Sequence, residues 1–141
     1  MITKTRKKII VFTVGVFDFI HIGHLNFLRK AKSKGTYLIV AVQKNIKKYK
    51  PEAETIYTLS QRIDFLKALK FVDEVVIYND VDKIIKKIKF DIFAKGPDQI
   101  HKGFQNAIDY CANKGKKVRI ISRTKNISSS KLRYLINNLE L

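Results

Sequence analysis

The stretch that decides the fold runs over residues 8–42, KIIVFTVGVFDFIHIGHLNFLRKAKSKGTYLIVAV. It opens on KIIVFTV, a short apolar run rich in β-branched residues, which reads as a buried strand. Ile22, Leu25, Leu28 and Ala31 then recur at helical spacing, and Gly35 supplies a C-terminal stop. YLIVAV at 37–42 is a second buried strand. Strand, helix and strand in that order make a βαβ unit, whose strands pair in parallel.

The alternation continues to the end of the chain. Residues 44–58 are polar and lysine-rich, contain Pro51, and read as a loop. Leu59, Ile63, Leu66 and Leu69 mark one face of a helix over 59–70, and DEVVIY at 73–78 is a third strand. Val81, Ile84, Ile85 and Ile88 follow helical spacing, and DIFAK at 91–95 is a fourth strand closed by Gly96-Pro97. Phe104, Ala107, Ile108 and Cys111 predict another helix, KVRIIS at 117–122 a fifth strand, and 128–139 a final helix. With right-handed crossovers this is an α/β fold, a Rossmann-like, doubly wound parallel five-stranded sheet. The expectation is a single domain over 1–141, with 1–7 as a basic N-terminal tail.

Composition narrows the function. A chain of 141 residues suits one domain and buries about two-thirds of its unfolded surface. The 29 Lys+Arg against 12 Asp+Glu give a net charge of +17, which attracts phosphate without reading sequence. The lysines fall in separate clusters (4–8, 44–50, 83–89, 114–117), as on a solvated surface that steers small phosphorylated ligands. Nucleic acid is therefore not the expected partner, and a non-catalytic basic nucleic-acid-binding module is the alternative from another class. No apolar run approaches the roughly 20 residues of a membrane span, so no membrane partner is expected. No secretory h-region follows the basic start. Cys111, the single cysteine, excludes an intramolecular disulfide and suits a reducing, cytoplasmic location.

Three chemically unusual segments fall where such a sheet binds ligands, at the carboxyl ends of its strands. The first is GVFDFIHIGH (15–24), with two of the three histidines three apart at a helix start. Residues so spaced share a face, so His21 and His24 can serve one pocket. Gly23 between them removes a side chain where a phosphate could approach, and the helix N-terminus offers free N–H groups. Two histidines and a nearby carboxylate are too few ligands for a metal site. The second segment is RTKNISSS (123–130), in which serines open the last helix and suit a phosphate. The third is the GPDQ turn at 96–99.

The HxGH motif of His21-Ile22-Gly23-His24 resembles that of the nucleotidylyltransferase superfamily. RTKNISSSKL looks like the RTxGISTT signature of its cytidylyltransferase branch, and FVDEV (71–75) resembles a strand of the same branch. Class I aminoacyl-tRNA synthetases also carry HxGH but are far longer. In length and layout the chain is most similar to bacterial glycerol-3-phosphate cytidylyltransferases. Its GPDQ turn departs from that branch's GDDW and looks more like the turn of archaeal FAD synthetases.

The resemblance implies a reaction: a nucleoside triphosphate and a phosphorylated small molecule give a nucleoside-diphosphate compound and pyrophosphate. It implies CTP as donor and glycerol 3-phosphate or another polyol or sugar phosphate as acceptor. The alternative is an adenylyltransferase using ATP on heptose phosphate or FMN. His21, His24 and Arg123 take the catalytic roles. Gly15, Val16, Phe17, Asp18, Gly23, Gly96, Asp98, Thr124, Ile127, Ser128 and Ser129 line the nucleotide. Lys50, Lys70 and His101 are candidates for the acceptor. Mg²⁺ comes with the triphosphate rather than on protein ligands, and the family implies a homodimer.

Overall fold

The computed structural model describes residues 7–46, 54–125 and 127–139. Lys50 and most of the expected N-terminal tail lie outside them. The elements, in chain order, are β1 (Ile10–Gly15), α1 (Ile22–Lys32), β2 (Tyr37–Gln43), α2 (Leu59–Lys67), β3 (Glu74–Tyr78), α3 (Val81–Ile84), β4 (Ile92–Lys95), α4 (Lys102–Asn113), β5 (Lys117–Ile120) and α5 (Ser129–Asn137). All five strands are parallel in the order β3-β2-β1-β4-β5. The order reverses between β1 and β4, so a crevice opens where their carboxyl ends diverge.

Strand alternation explains the two layers. Phe12, Val14, Ile39, Ala41 and Phe93 face one side, where they pack with Val81, Ile85, Phe104, Ala107 and Cys111. Val11, Leu38, Val40, Val42, Ile92 and Ala94 face the other, against Leu28 and Ala31 of α1 and Leu66 of α2. Near-continuous apolar strands are what a sheet covered on both faces requires. Cys111 is fully buried on α4, as its place in the apolar pattern predicts. Among the described residues no helix is long and apolar enough to cross a membrane.

Two elements depart from their patterns. The helix expected through Ile88 stops at Ile84, after which Lys86 N and Lys87 N bond the carbonyls three residues back. Lys83 sits one turn from Lys86 and Lys87, and like charges at that spacing, together with the β-branched Val81, Ile84, Ile85 and Ile88, oppose a longer helix. The final helix begins where the serines predict, yet none of its residues is buried. It is held to the body through polar contacts described next.

Candidate active site

The loop from β1 to α1 is shaped by its own side chains. Phe17 and Phe19 adopt left-handed backbone, with φ of 52° and 49°. That conformation is uncommon and costly for a bulky residue. Asp18, between them and 4% exposed, is what holds it. Its carboxylate accepts the N–H groups of Ile56 (2.8 Å) and Tyr57 (2.9 Å) and pairs with the Arg133 guanidinium of α5. Its carbonyl accepts the Ser129 hydroxyl at 3.1 Å. Phe17, itself buried, lays its ring against Gly15, where a Cβ would stand 2.9 Å from two ring carbons.

The two histidines cap α1 reciprocally. His21 Nδ1 accepts the Gly23 N–H at 2.9 Å, and His24 Nδ1 accepts the His21 N–H at 3.2 Å. The imidazole centroids are 4.1 Å apart. A ring nitrogen that accepts carries no proton, so each neutral imidazole keeps its hydrogen on Nε2, the edge turned away from the helix cap. The charged forms are disfavoured. Burial, then His21 and Arg123, pull the His24 pKa down to about 4, while burial and Arg123 lower that of His21. At neutral pH the pair is two uncharged N–H donors.

Gly23 has a different use from the expected one. A Cβ there would lie 2.6 Å from His21 Cε1 and 3.3 Å from Ile127 Cγ2, so the missing side chain makes room for the folded-back His21 ring. The space is therefore filled by the protein's own imidazole rather than left for a phosphate.

Across the switch point, Gln99 joins the ends of β1 and β4. Its amide donates to Val14 O at 2.9 Å, and its carbonyl accepts the Gly96 N–H at 2.9 Å. Asp98 of the same turn pairs with Arg123, both well exposed. Thr124 is tied to α1 by the Asn26 amide at 3.0 Å. Ser128 Oγ caps α5 by accepting the Lys131 N–H at 3.0 Å. The Ser129 hydroxyl thus donates inside the protein, while that of Ser128 accepts the cap bond and keeps its own hydrogen to donate. The start of α5 therefore presents the Ser128 O–H and the remaining first-turn N–H groups to a ligand.

These segments enclose one cavity of about 440 Å³. Gly15, Val16, Phe17, Asp18, His21, Gly23 and His24 line it from the first loop. Gly96, Asp98, Arg123, Thr124, Ile127, Ser128 and Ser129 line it from β4, β5 and α5. Gln43, Ile46 and Tyr78 complete the wall on the β2–β3 side, and Phe104 of α4, stacked on Phe93 of β4, lines it as well. His101 also borders it, while its Nδ1 caps α4 by accepting the Gly103 N–H at 3.1 Å. Lys70 is not among the lining residues: it follows α2 in the turn that leads into β3, at the opposite edge of the sheet. A turn before a parallel strand cannot reach that strand's carboxyl end, which corrects its expected acceptor role. Lys50 lies outside the described residues.

Sequence reasoning missed Arg62. It is 3% exposed, and its Nη1 donates to Val16 O and Gln43 O, both at 2.9 Å, clamping the ends of β1 and β2. Burial pulls its pKa below the usual arginine value, against the opposing pull of Asp18. The signal was present: Arg62 stands three residues from Leu59 and four from Leu66, on the apolar face of its helix. Lys95 was missed as well; it is buried at the end of β4, with Nζ 3.0 Å from Gly96 O. No three His, Cys, Asp or Glu side chains converge among the described residues.

Two capping imidazoles and the N-terminus of α5 border one cavity at the switch point of this sheet, an arrangement that suits phosphate. The family model described as "Cytidylyltransferase-like" matches residues 12–135, and the chain belongs to that family. It is 46% identical over 99 residues to an FAD synthase of Thermococcus sibiricus, a match covering 67% of this chain and 66% of that protein. It is 37% identical over 133 residues to the bifunctional protein HldE of Campylobacter jejuni subsp. doylei, covering 92% of this chain but 28% of that protein. The matches thus span just under two thirds of the first relative and less than a third of the second. Among solved structures, the lipopolysaccharide core biosynthesis protein from Thermoplasma volcanium superposes with a TM-score of 0.69 at 27% identity, over 86% of this chain and 100% of that one.

Proposed function

We propose that the protein is an adenylyltransferase that joins AMP from ATP to a small phosphorylated acceptor, with FMN the leading candidate. The observation that carries nucleotidyl transfer is the pair of neutral imidazoles with Nδ1 locked in the α1 cap. ATP takes the place of the CTP expected from RTKNISSS and FVDEV because a relative sharing 46% identity is an FAD synthase, and FAD is FMN joined to AMP. The apolar wall of Ile46 and Tyr78, which follow β2 and end β3, supports a flat ring system, and it lies on the side of β1 away from Arg123. Heptose phosphate is the second acceptor, favoured by the likeness to a lipopolysaccharide core biosynthesis protein.

In this reading an acceptor phosphate oxygen attacks the α-phosphorus of ATP in line. The bond to the bridging oxygen breaks, and pyrophosphate leaves with its electrons. The transition state gathers charge on the α-phosphate and the leaving group, so catalysis is positioning plus fixed donors. His21 and His24 donate Nε2–H to phosphate oxygens. Arg123 exchanges Asp98 for the β- and γ-phosphates, which also receive the first-turn N–H groups of α5. Gly15 to Phe17 line the nucleotide through their backbone, and Gly96 and Asp98 border base and ribose. Mg²⁺ enters as part of the substrate, held by phosphates and water. A homodimer belongs to the same reading, and sedimentation of the pure protein tests it.

The test is pyrophosphate release with each of ATP and CTP, offered in turn with FMN, heptose phosphate and glycerol 3-phosphate. Release with ATP and FMN, with FAD as product, is the expected result. Release with CTP alone overturns the donor assignment, and release with ATP and heptose phosphate alone overturns the acceptor.

A further inference from the structure

The five strands begin at one edge of the sheet, and their ladders bring those beginnings nearly level. Ile10 pairs with Tyr37, Val11 with Ile92, Ile92 with Lys117, and Ile39 with Glu74. Each strand is entered past an exposed lysine: Lys8 before β1, Lys34 before β2, Lys70 before β3, Lys89 before β4 and Lys117 at the first position of β5. Strands stand about 4.8 Å apart, so the row extends over roughly 20 Å. Lys86, Lys87 and Lys114 are exposed in the same turns and widen it. Three carboxylates share this edge with its eight exposed lysines and are outnumbered by them. Asp91 accepts the Ile10 N–H and Asp73 the Leu38 N–H, each at 2.8 Å; Asp73 also pairs with Lys32, and Glu74 accepts the Tyr37 hydroxyl.

We infer that this edge, opposite the cavity, is an electrostatic docking surface for an anionic lipid membrane. Lysines far apart along the chain become one basic plate because the segments that enter all five strands lie at this edge. Charge complementarity selects an anionic partner. Lysine, a compact point charge without a guanidinium fork, suits a diffuse anionic surface better than a shaped phosphate pair. Single-stranded nucleic acid is recognised on exposed aromatic platforms, and the exposed rings of Phe65 and Tyr134 belong to α2 and α5 rather than to these turns. Docked by this edge, the protein keeps its cavity open to solvent on the far side.

Co-sedimentation of the full chain with vesicles tests the inference, comparing phosphatidylcholine alone with phosphatidylcholine mixed with phosphatidylserine. Binding is expected only to the mixed vesicles and is expected to fall as salt is raised. Each lysine near such a surface strengthens partitioning about fivefold. The variant with Lys34, Lys87, Lys89 and Lys117 all changed to Gln should therefore bind several-hundred-fold more weakly, on the order of the fourth power of that factor. Its thermal shift with ATP serves as the check that it folds. A control variant with Lys44, Lys83, Lys102 and Lys125 changed to Gln has the same net charge and should keep most of the binding. Equal loss in both variants overturns the inference, because net charge alone would then explain binding. Retention of polyuridylate with no retention of mixed vesicles also overturns it, and makes the partner a nucleic acid.

Discussion

His24 Nδ1 accepts the backbone N–H of His21 at 3.2 Å, so each histidine of the pair is both a helix cap and a candidate phosphate donor. The two duties can be separated by substitution. Asn caps a helix as well as any residue, and Gln at the third helical position closes a capping box. The protein already builds such a box at α2, where Thr58 and Gln61 bond each other's backbone.

His21→Asn and His24→Gln should therefore fold with stability within about 0.5 kcal/mol of the parent, while nucleotidyl transfer falls roughly 10²–10³-fold. His21→Ala and His24→Ala should lose about 1 kcal/mol more through the missing cap. Chemical denaturation beside single-turnover rates measures both. Near-normal turnover in His21→Asn and His24→Gln would remove the imidazoles from the chemistry.

Asp18 lines the cavity, and its carboxylate also joins three segments: the first loop, residues 56–57 and α5. Asp18→Asn leaves the half-buried Arg133 without its counter-ion. Breaking a buried pair costs about 3–5 kcal/mol, and the partial exposure of Arg133 brings the expected loss to about 2 kcal/mol. A drop in Tm of roughly 8 °C would follow for a domain of this size. Because α5 is docked by the same carboxylate, affinity for ATP should weaken in parallel. A variant with unchanged Tm would contradict the structural role.

Much of this site was legible before the fold was known, and the reason is chemical. His21, His24, Arg123 and the serines carry polar groups at strand ends, and the alternation of strands and helices fixes which ends converge. The partners of those groups were not legible. Gly23 reads as an open approach until the His21 ring is seen folded over it. Lys70 precedes a strand that the pattern identifies correctly, yet that position places it at the wrong edge. The helix through Ile88 followed from apolar spacing alone, which does not register Lys83 repelling Lys86 and Lys87 one turn on. Arg62 bonds carbonyls 46 and 19 residues away, and no local pattern encodes such a reach.

Gly23 and Gly96 both line the cavity, but their surroundings predict opposite outcomes for alanine. At Gly23 the new methyl would lie 2.6 Å from His21 Cε1, so the ring must leave its cap. Gly23→Ala should lose about 1–2 kcal/mol and at least tenfold in transfer rate. At Gly96 the nearest atoms, on Gln99 and Phe27, are 4.0 Å away. Gly96→Ala should keep the parent's Tm and raise KM for ATP, because the methyl projects into nucleotide space. An unaltered KM would place the nucleotide elsewhere in the cavity.

The depressed pKa of His24 also makes a prediction about acid. An unfolded chain takes up a proton on this imidazole near 6.5, the folded chain only near 4. Between those values the unfolded state binds more protons, so stability falls as pH falls. The contribution is complete above about pH 6.5 and fades towards pH 4, on the order of 2 kcal/mol after allowing for partial exposure. Tm measured across that range should fall more steeply in the parent than in His24→Gln, which has no group to titrate. Bound ATP should act in the other direction, since phosphate charge beside Nε2 favours the imidazolium and raises the pKa of both histidines. Imidazole resonances followed by NMR, without and with ATP, read those shifts directly. Resonances that titrate near 6.5 in the free protein would show that neither ring is held neutral by its cap, and the picture of two uncharged donors would fall with it.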